Sequence, residues 1–108
     1  MTTDHRARAA ALRDRAEGSG GETAGSLRRA VLARAAGGAA LAPPYDALVA
    51  DVAEASHRVT DAEVAAVRAA AGSDKAAFEV VMTAAIGAAL LRFERAMEVL
   101  EEADRAAR

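Results

Sequence analysis

The fold of this chain is decided by residues 74–104, DKAAFEVVMTAAIGAALLRFERAMEVLEEAD. Large apolar side chains recur there every three or four residues, which is the period of an amphipathic helix. They are Phe78, Met82, Ile86, Leu90, Phe93, Met97 and Leu100. Residues 80–91 carry no charge on any side, so we expect them to be buried all round, inside a bundle or between subunits. The sequence therefore predicts a long C-terminal helix at the centre of an all-α fold.

Clear start and stop signals precede this helix. Thr60 and Glu63 have the S/T-x-x-E spacing of a capping box, so a helix is predicted to begin at Asp61. Gly72 is expected to end that helix, and Ser73 to cap the next one. Gly87 lies inside the long helix at a cost of about 1 kcal/mol relative to Ala. Close packing against another helix is a physical reason to keep it.

Further helices are predicted upstream, which gives four to five in total. Eight residues rich in Gly follow the first of them and are expected to form a flexible linker. The predicted spans are 4–17, then 27–36 with Ser26 as N-cap, and a helix that starts after Pro43-Pro44 and ends near Arg58. We accordingly divide the chain into an N-terminal arm and linker, residues 1–25, and a helical domain, residues 26–108.

The amino-acid composition of the chain excludes several classes of function. The chain has 108 residues, and 33 of its apolar residues are Ala, so large side chains supply only a thin core and association is expected. With no Cys it has no disulfides, thiol nucleophiles or Cys-based zinc sites. With no Trp, three other aromatic residues and a net charge of −2, nucleic-acid binding is not expected.

Membrane insertion and export are not expected either. The longest uncharged apolar run has 12 residues, whereas about 20 are needed to span a bilayer. The N-terminal residues contain repeated Arg and no apolar core of a signal peptide. We therefore predict a cytoplasmic protein.

Residues 45–103 resemble the carboxymuconolactone decarboxylase/alkylhydroperoxidase D-like family. The resemblance rests on residues 57–103: a Gly-ended helix, a start around Ser73 and Phe78, and a long Ala-rich helix with the pattern Arg92, Ala96, Leu100. It implies packed helical hairpins, and a homo-oligomer that is a trimer or a hexamer. It covers just over half of the chain, and residues 1–42 do not contribute.

The same resemblance indicates where chemistry would lie. Redox members carry C-x-x-C-x-x-x-H, which falls here on Ala55, Arg58 and Ala62, so all three functional residues are absent. Thiol peroxidase chemistry needs a thiolate and is not expected. The decarboxylase branch is implied to work by acid–base chemistry without cysteine, which stays open.

His57, Glu54 and Asp51 are the candidate catalytic residues. Histidine titrates near neutral pH and suits a general base. Glu54 and His57 have the Glu-x-x-His spacing that would place both on one helix face, which is half of a carboxylate-bridged metal signature. The full signature needs two such pairs and further Glu, and an oligomer could supply the second pair by symmetry. With one pair in the chain, no metal and no cofactor are predicted. The alternative reading of His57 is a surface residue near a helix C-terminus.

Glu79 and Arg92 flank the uncharged segment. They either lie in solvent or face inward, where they would pair between subunits or line a pocket.

Three functions remain open at this point. The first is a non-redox binding or structural module, which could take a small apolar ligand between helices around residues 80–91. The second is an acid–base lyase or isomerase that acts on a small carboxylated lactone through His57 with Glu54 or Asp51. The third is a helical protein whose basic N-terminal arm docks on another chain.

Overall fold

The computed structural model describes residues 4–108, and that part of the chain is helical without a strand. The predicted all-α class, the helix number and the long C-terminal helix are confirmed. The five α-helices are α1 His5–Glu17, α2 Gly25–Ala35, α3 Tyr45–Glu54, α4 Asp61–Ala71 and α5 Asp74–Ala106, with a single 3-10 turn at Ser56–Arg58 between α3 and α4.

The predicted caps of α4 and α5 are confirmed. The Thr60 hydroxyl accepts a hydrogen bond from the Glu63 backbone N–H at 3.1 Å. Gly72 ends α4 in the left-handed conformation at φ 100°, which a side chain would strain. The Ser73 hydroxyl then accepts from the backbone N–H of Ala76, so α5 starts one residue after the turn.

Two helix boundaries differ from the prediction. Helix α2 starts at Gly25 with Ala24 as its cap residue, so Ser26 lies inside the helix and caps nothing. Helix α3 ends at Glu54 rather than near Arg58, because Ala55 is extended at φ −156°, ψ 72°. The chain resumes with the 3-10 turn, so Glu54 and His57 belong to different elements.

The core lies where α2, α3 and α4 pack against one side of α5. Its fully buried large side chains are Val31, Leu48, Val49, Val67 and Val80. The α5 residues that face this core are mostly small, including Ala84, Gly87 and Ala88. A Cβ on Gly87 would lie 2.6 Å from the Leu32 carbonyl oxygen, so the glycine permits the close approach of α2 that its presence suggested.

The expectation that residues 80–91 are buried all round is wrong. Met82, Ala85 and Ala89 are exposed, and Phe78 at the start of the predicted buried stripe is 63% exposed. Leu90 of that stripe is buried, as expected. Small residues face the core because they let neighbouring helices come close, and this leaves larger apolar side chains on the opposite side of α5.

Helix α1 packs against α2 and α5 of its own chain, although it contributes no fully buried residue. Arg13 pairs with Glu94 at 2.7 Å, and Arg6 pairs with Glu101 further along α5. The division of the chain at residue 25 stays a prediction.

Helix α5 is also long and apolar enough to cross a bilayer by length and composition, the one such helix among residues 4–108. In its most apolar window, 44% of the residues are buried inside the protein. Core helices of soluble proteins meet the same criterion, so this observation by itself assigns no membrane role.

Candidate functional site

The predicted catalytic residues are not brought together as their spacing suggested. His57 lies in the 3-10 turn and Glu54 at the last position of α3, and both are exposed. Within residues 4–108 no hydrogen bond or ion pair joins His57 to Glu54 or Asp51. The helix that would have aligned Glu54 with His57 is interrupted at Ala55, so the prediction that the two residues share a helix face is wrong. The catalytic assignment itself stays a prediction.

Asp51 instead faces Glu63, across the contact between α3 and α4. Burial raises the pKa of the Glu63 carboxyl, and its hydrogen bond with Asp51 and the Asp51 charge raise it further. The Thr60 hydroxyl and backbone N–H oppose this rise without cancelling it. Oε2 of Glu63 is buried and has no hydrogen-bond donor. The raised pKa favours the protonated form of Glu63, which can donate a hydrogen bond to Asp51.

A second polar centre joins the Gly-rich stretch to α5. Arg28 is only 6% exposed, and its guanidinium donates to the carbonyl oxygens of Ala16, Gly18 and Thr23. It also pairs with Glu79 at 3.6 Å.

Glu79 completes this centre from the α5 side. Its carboxylate accepts hydrogen bonds from the backbone N–H groups of Glu22 and Thr23 and from the Thr23 hydroxyl. Burial acts to raise the pKa of Glu79, but these hydrogen bonds and the Arg28 charge outweigh it and hold the pKa below its ordinary value. Residues 18–23, expected as a free linker, are thus tied to the bundle. Glu79 was expected either to lie in solvent or to face inward, and the structure shows that it faces inward. Its ion-pair partner, Arg28, belongs to the same chain.

Arg92 makes a different contact, with the end of α3. Its guanidinium donates to the carbonyl oxygen of Ala53 at 2.9 Å, which satisfies a carbonyl in the last turn of that helix. Arg34 pairs with Asp46 at 2.7 Å nearby, and this contact and the Leu41 backbone N–H lower the pKa of Asp46. Arg34, Ala53 and Arg92 line a cavity of about 140 Å³ together with Glu54.

Larger cavities border α5. One of about 220 Å³ lies between α1, α2 and α5, with Leu32, Leu90 and Leu91 on its apolar floor. Another of about 300 Å³ lies between residues 15–21 and α5, against Phe78, Met82 and Ile86. Neither is lined by His57, Asp51 or Glu63, so the candidate acid–base groups open into neither.

An uncharged surface lies on the side of α5 that points away from the core. We call it the outer face and define it by Phe78, Met82, Ala85, Ala89, Ala96 and Leu100, all exposed. Phe78, Met82 and Leu100 are 63%, 43% and 61% exposed. The half-buried Ile86 and Phe93 border the face on one side. Sequence periodicity located these side chains but assigned them to the core.

No protein-family model, no curated protein and no solved structure matches this chain. The resemblance to the carboxymuconolactone decarboxylase/alkylhydroperoxidase D-like family therefore stays a prediction.

Proposed function

We propose that this chain is a non-redox helical docking module, a cysteine-less relative of the carboxymuconolactone decarboxylase/alkylhydroperoxidase D-like family, that works in the cytoplasm through the outer face of α5. The observation that carries this proposal is the exposure of Phe78, Met82 and Leu100 on one uncharged face. Contiguous apolar patches of a few hundred Å² on soluble proteins are often functional.

The size of the outer face supports this function. From Phe78 to Leu100 it follows 22 residue steps of α5, a length of about 33 Å at 1.5 Å per residue. With a helix width of about 10 Å, its footprint is about 330 Å². A groove lined by Leu12, Ala89 and Phe93 extends it towards α1. This shape suits a helix laid along α5.

The chemistry of the chain is consistent with a non-redox role. No Cys is present to form the thiolate that peroxidase chemistry requires. The polar groups with shifted pKa values are bonded to other parts of the chain: Glu79 to residues 22–23, Asp46 to Arg34, and Glu63 to Asp51. Each of these contacts joins two segments of the bundle, which is a structural use.

The test compares the wild type with a Phe78→Glu/Met82→Glu double variant. Both sites are exposed, so the variant is expected to keep the fold, which circular dichroism verifies. We expect the wild type either to bind the apolar dye bis-ANS several-fold more strongly than the variant or to be an oligomer that the variant is not. Ala69→Glu, an exposed change on α4, is the matched control and should resemble the wild type. A monomeric wild type that binds no more dye than the double variant would contradict the docking function.

A small apolar ligand is a second candidate binding partner, and one specific cavity favours it. The space of about 220 Å³ beside Leu32, Leu90 and Leu91 is apolar at its floor and has the Arg13–Glu94 ion pair at its rim. An aromatic or branched aliphatic molecule would fill it.

An acid–base lyase acting on a small carboxylated lactone is the alternative that the Asp51–Glu63 pair favours. A carboxyl group that keeps its proton beside a carboxylate can act as a general acid. His57, Glu54 and Asp51 would then supply the catalytic groups. Unchanged turnover of such a lactone in both His57→Ala and Asp51→Asn would rule these roles out.

A further inference from the structure

We propose that the occupant of the outer face is a second copy of this chain, with its α5 laid antiparallel across a two-fold axis at Ala89. This inference rests on the proposed docking function and names its partner. It also limits the expected assembly: a two-fold pair fits a dimer or a hexamer built from dimers, but not a trimer with three-fold symmetry alone.

The first argument is the arrangement of side-chain sizes along the outer face. Large residues stand at its two ends and small ones in the middle, with Ala89 at the centre. Phe78 and Leu100 each lie eleven residues from Ala89, and Met82 and Ala96 each lie seven residues from it. An antiparallel copy therefore sets the small centre against itself, and among the residues of the outer face large side chains meet large ones only at the ends.

Small residues at the centre also decide how closely two helices can approach. Ala85 and Ala89 have only a methyl group each, so the helix axes can come to the short end of the usual 8–10 Å range. Ile86 and Phe93, which border the face on one side, would then pack across the axis, since they lie on opposite sides of Ala89 along the helix. Leu12 of α1 is 43% exposed beside Phe93 and adds apolar surface at the same edge.

The second argument is charge. Lys75 and Asp104 are exposed at opposite ends of α5, near the same edge of the outer face by helical periodicity. Within one chain Lys75 pairs with Glu22 at 3.5 Å and Asp104 with Arg108 at 3.1 Å, and both are exposed pairs of the kind that contribute little stability and can exchange partners. An antiparallel arrangement brings Lys75 near Asp104 of the partner subunit, whereas a parallel one would bring Lys75 near Lys75 of the partner subunit. Antiparallel packing also places each helix dipole against the opposite end of the other.

Charge also argues for a second copy over a lipid surface, although α5 is long enough to span a bilayer. Helices that lie on membranes typically carry Lys and Arg beside their apolar face, because the cytoplasmic leaflet is anionic. Residues 43–108 carry 7 basic and 12 acidic residues, a net charge of −5. Such a surface is repelled by anionic lipid.

Cysteine cross-linking tests the geometry directly, because the natural chain contains no Cys. In the antiparallel pair Ala89 faces Ala89 of the partner subunit, so Ala89→Cys should form a disulfide-linked dimer under mild oxidation. Ala96→Cys alone should not, since the two copies of that position would lie about 21 Å apart along the pair. A mixture of Met82→Cys and a tagged Ala96→Cys should link to each other. Ala47→Cys, exposed on α3, is the control for random collision.

The oligomeric state without cross-links completes the test. Light scattering over about 1–300 µM protein should show a concentration-dependent dimer, or a hexamer, for the wild type. The Phe78→Glu/Met82→Glu variant should lose the two-fold pairing, giving monomers or, from a hexamer, trimers. Equal cross-linking of Ala89→Cys and Ala96→Cys would overturn the antiparallel arrangement. A wild-type monomer at every concentration would overturn the second copy as occupant.

The failure of this inference can be separated from the failure of the docking function. A monomeric wild type that still binds bis-ANS through Phe78 and Met82 leaves the docking function standing and refutes the second copy. Flotation of that monomer with vesicles of phosphatidylcholine and phosphatidylserine, lost in the double variant, would identify lipid as the occupant instead. A monomer that neither binds dye nor floats would overturn both proposals.

Discussion

Glu63 of α4 holds a proton more tightly than an ordinary glutamate, because it is desolvated and faces Asp51 of α3. Its pKa in the folded chain is raised above the unfolded value of about 4.3. The stabilising contribution of the pair is therefore fully present below the unfolded pKa and is lost as the pH rises through the folded pKa. We therefore expect α3 and α4 to be held together less tightly at neutral pH than in mild acid.

Glu63→Gln removes this pH dependence while preserving the shape of the side chain. The Gln amide can donate to Asp51, and its carbonyl can still accept from Thr60. We expect the variant to melt a few degrees higher than the wild type at pH 7–8 and at the same temperature near pH 4, measured by circular dichroism. Glu98→Gln, an exposed change on α5, should shift neither curve. An equal stabilisation at both pH values would contradict the raised pKa of Glu63.

At the scale of secondary-structure elements, the contact between α2 and α5 depends on the absence of one side chain. A Cβ at Gly87 would lie 2.6 Å from the carbonyl oxygen of Leu32 and 2.9 Å from the Cβ of Ala35. Gly87→Ala improves helix propensity by about 1 kcal/mol, yet we expect a net destabilisation of about 1–3 kcal/mol because the helices must separate. Urea unfolding measures this. Ala85→Gly on the outer face should cost only about 1 kcal/mol, and a more stable Gly87→Ala would contradict the close approach.

The elements themselves could be predicted because their signals are local. Thr60 with Glu63, and Gly72 with Ser73, fix the ends of α4 and the start of α5 through hydrogen bonds within a few residues. The buried face of α5 could not be predicted, since both faces are apolar and burial depends on which one lets other helices approach. Hydrophobic periodicity predicts that Phe78 is buried, whereas in the structure Phe78 is exposed and the smaller Ala84 is buried.

Less of the candidate site than of the helices could be predicted, because contacts in the site join residues that are distant in the sequence. Asp51 was singled out, but its partner Glu63 was assigned only to a cap, because a contact between helices leaves no trace in sequence spacing. The extended backbone at Ala55 separates Glu54 from His57, and a short Ala-Ser sequence carries no strong signal for it. Arg28 could not be identified as buried, since the carbonyl groups it binds belong to the end of α1 and to the loop that follows, whose positions cannot be read from sequence spacing.

At the scale of the whole molecule, the protein is elongated, 54 × 29 × 20 Å, because α5 extends past the core formed with α2, α3 and α4. Only α1 accompanies the C-terminal part of α5, and α1 contributes no fully buried side chain. Its contacts with α5 include the exposed ion pairs of Arg6 with Glu101 and Arg13 with Glu94, and its last turn is also held by Arg28, which donates to the Ala16 carbonyl oxygen. The net charges of +3 in residues 1–42 and −5 in residues 43–108 thus attract each other within one chain.

Salt should therefore loosen α1 selectively. The screening length falls from about 10 Å at 0.1 M to about 3 Å at 1 M ionic strength, which weakens exposed pairs and leaves apolar packing in place. We expect amide hydrogen exchange in α1 to accelerate several-fold in 1 M NaCl, while α3 and the 76–90 part of α5 keep their protection. Arg13→Gln should give part of this effect at low salt. If amide exchange in α1 were unchanged by salt, the docking of α1 would have to rest on apolar contacts such as that of Leu12 beside Phe93. The basic side chains of α1 would then be free to bind an acidic partner while α1 stayed on α5.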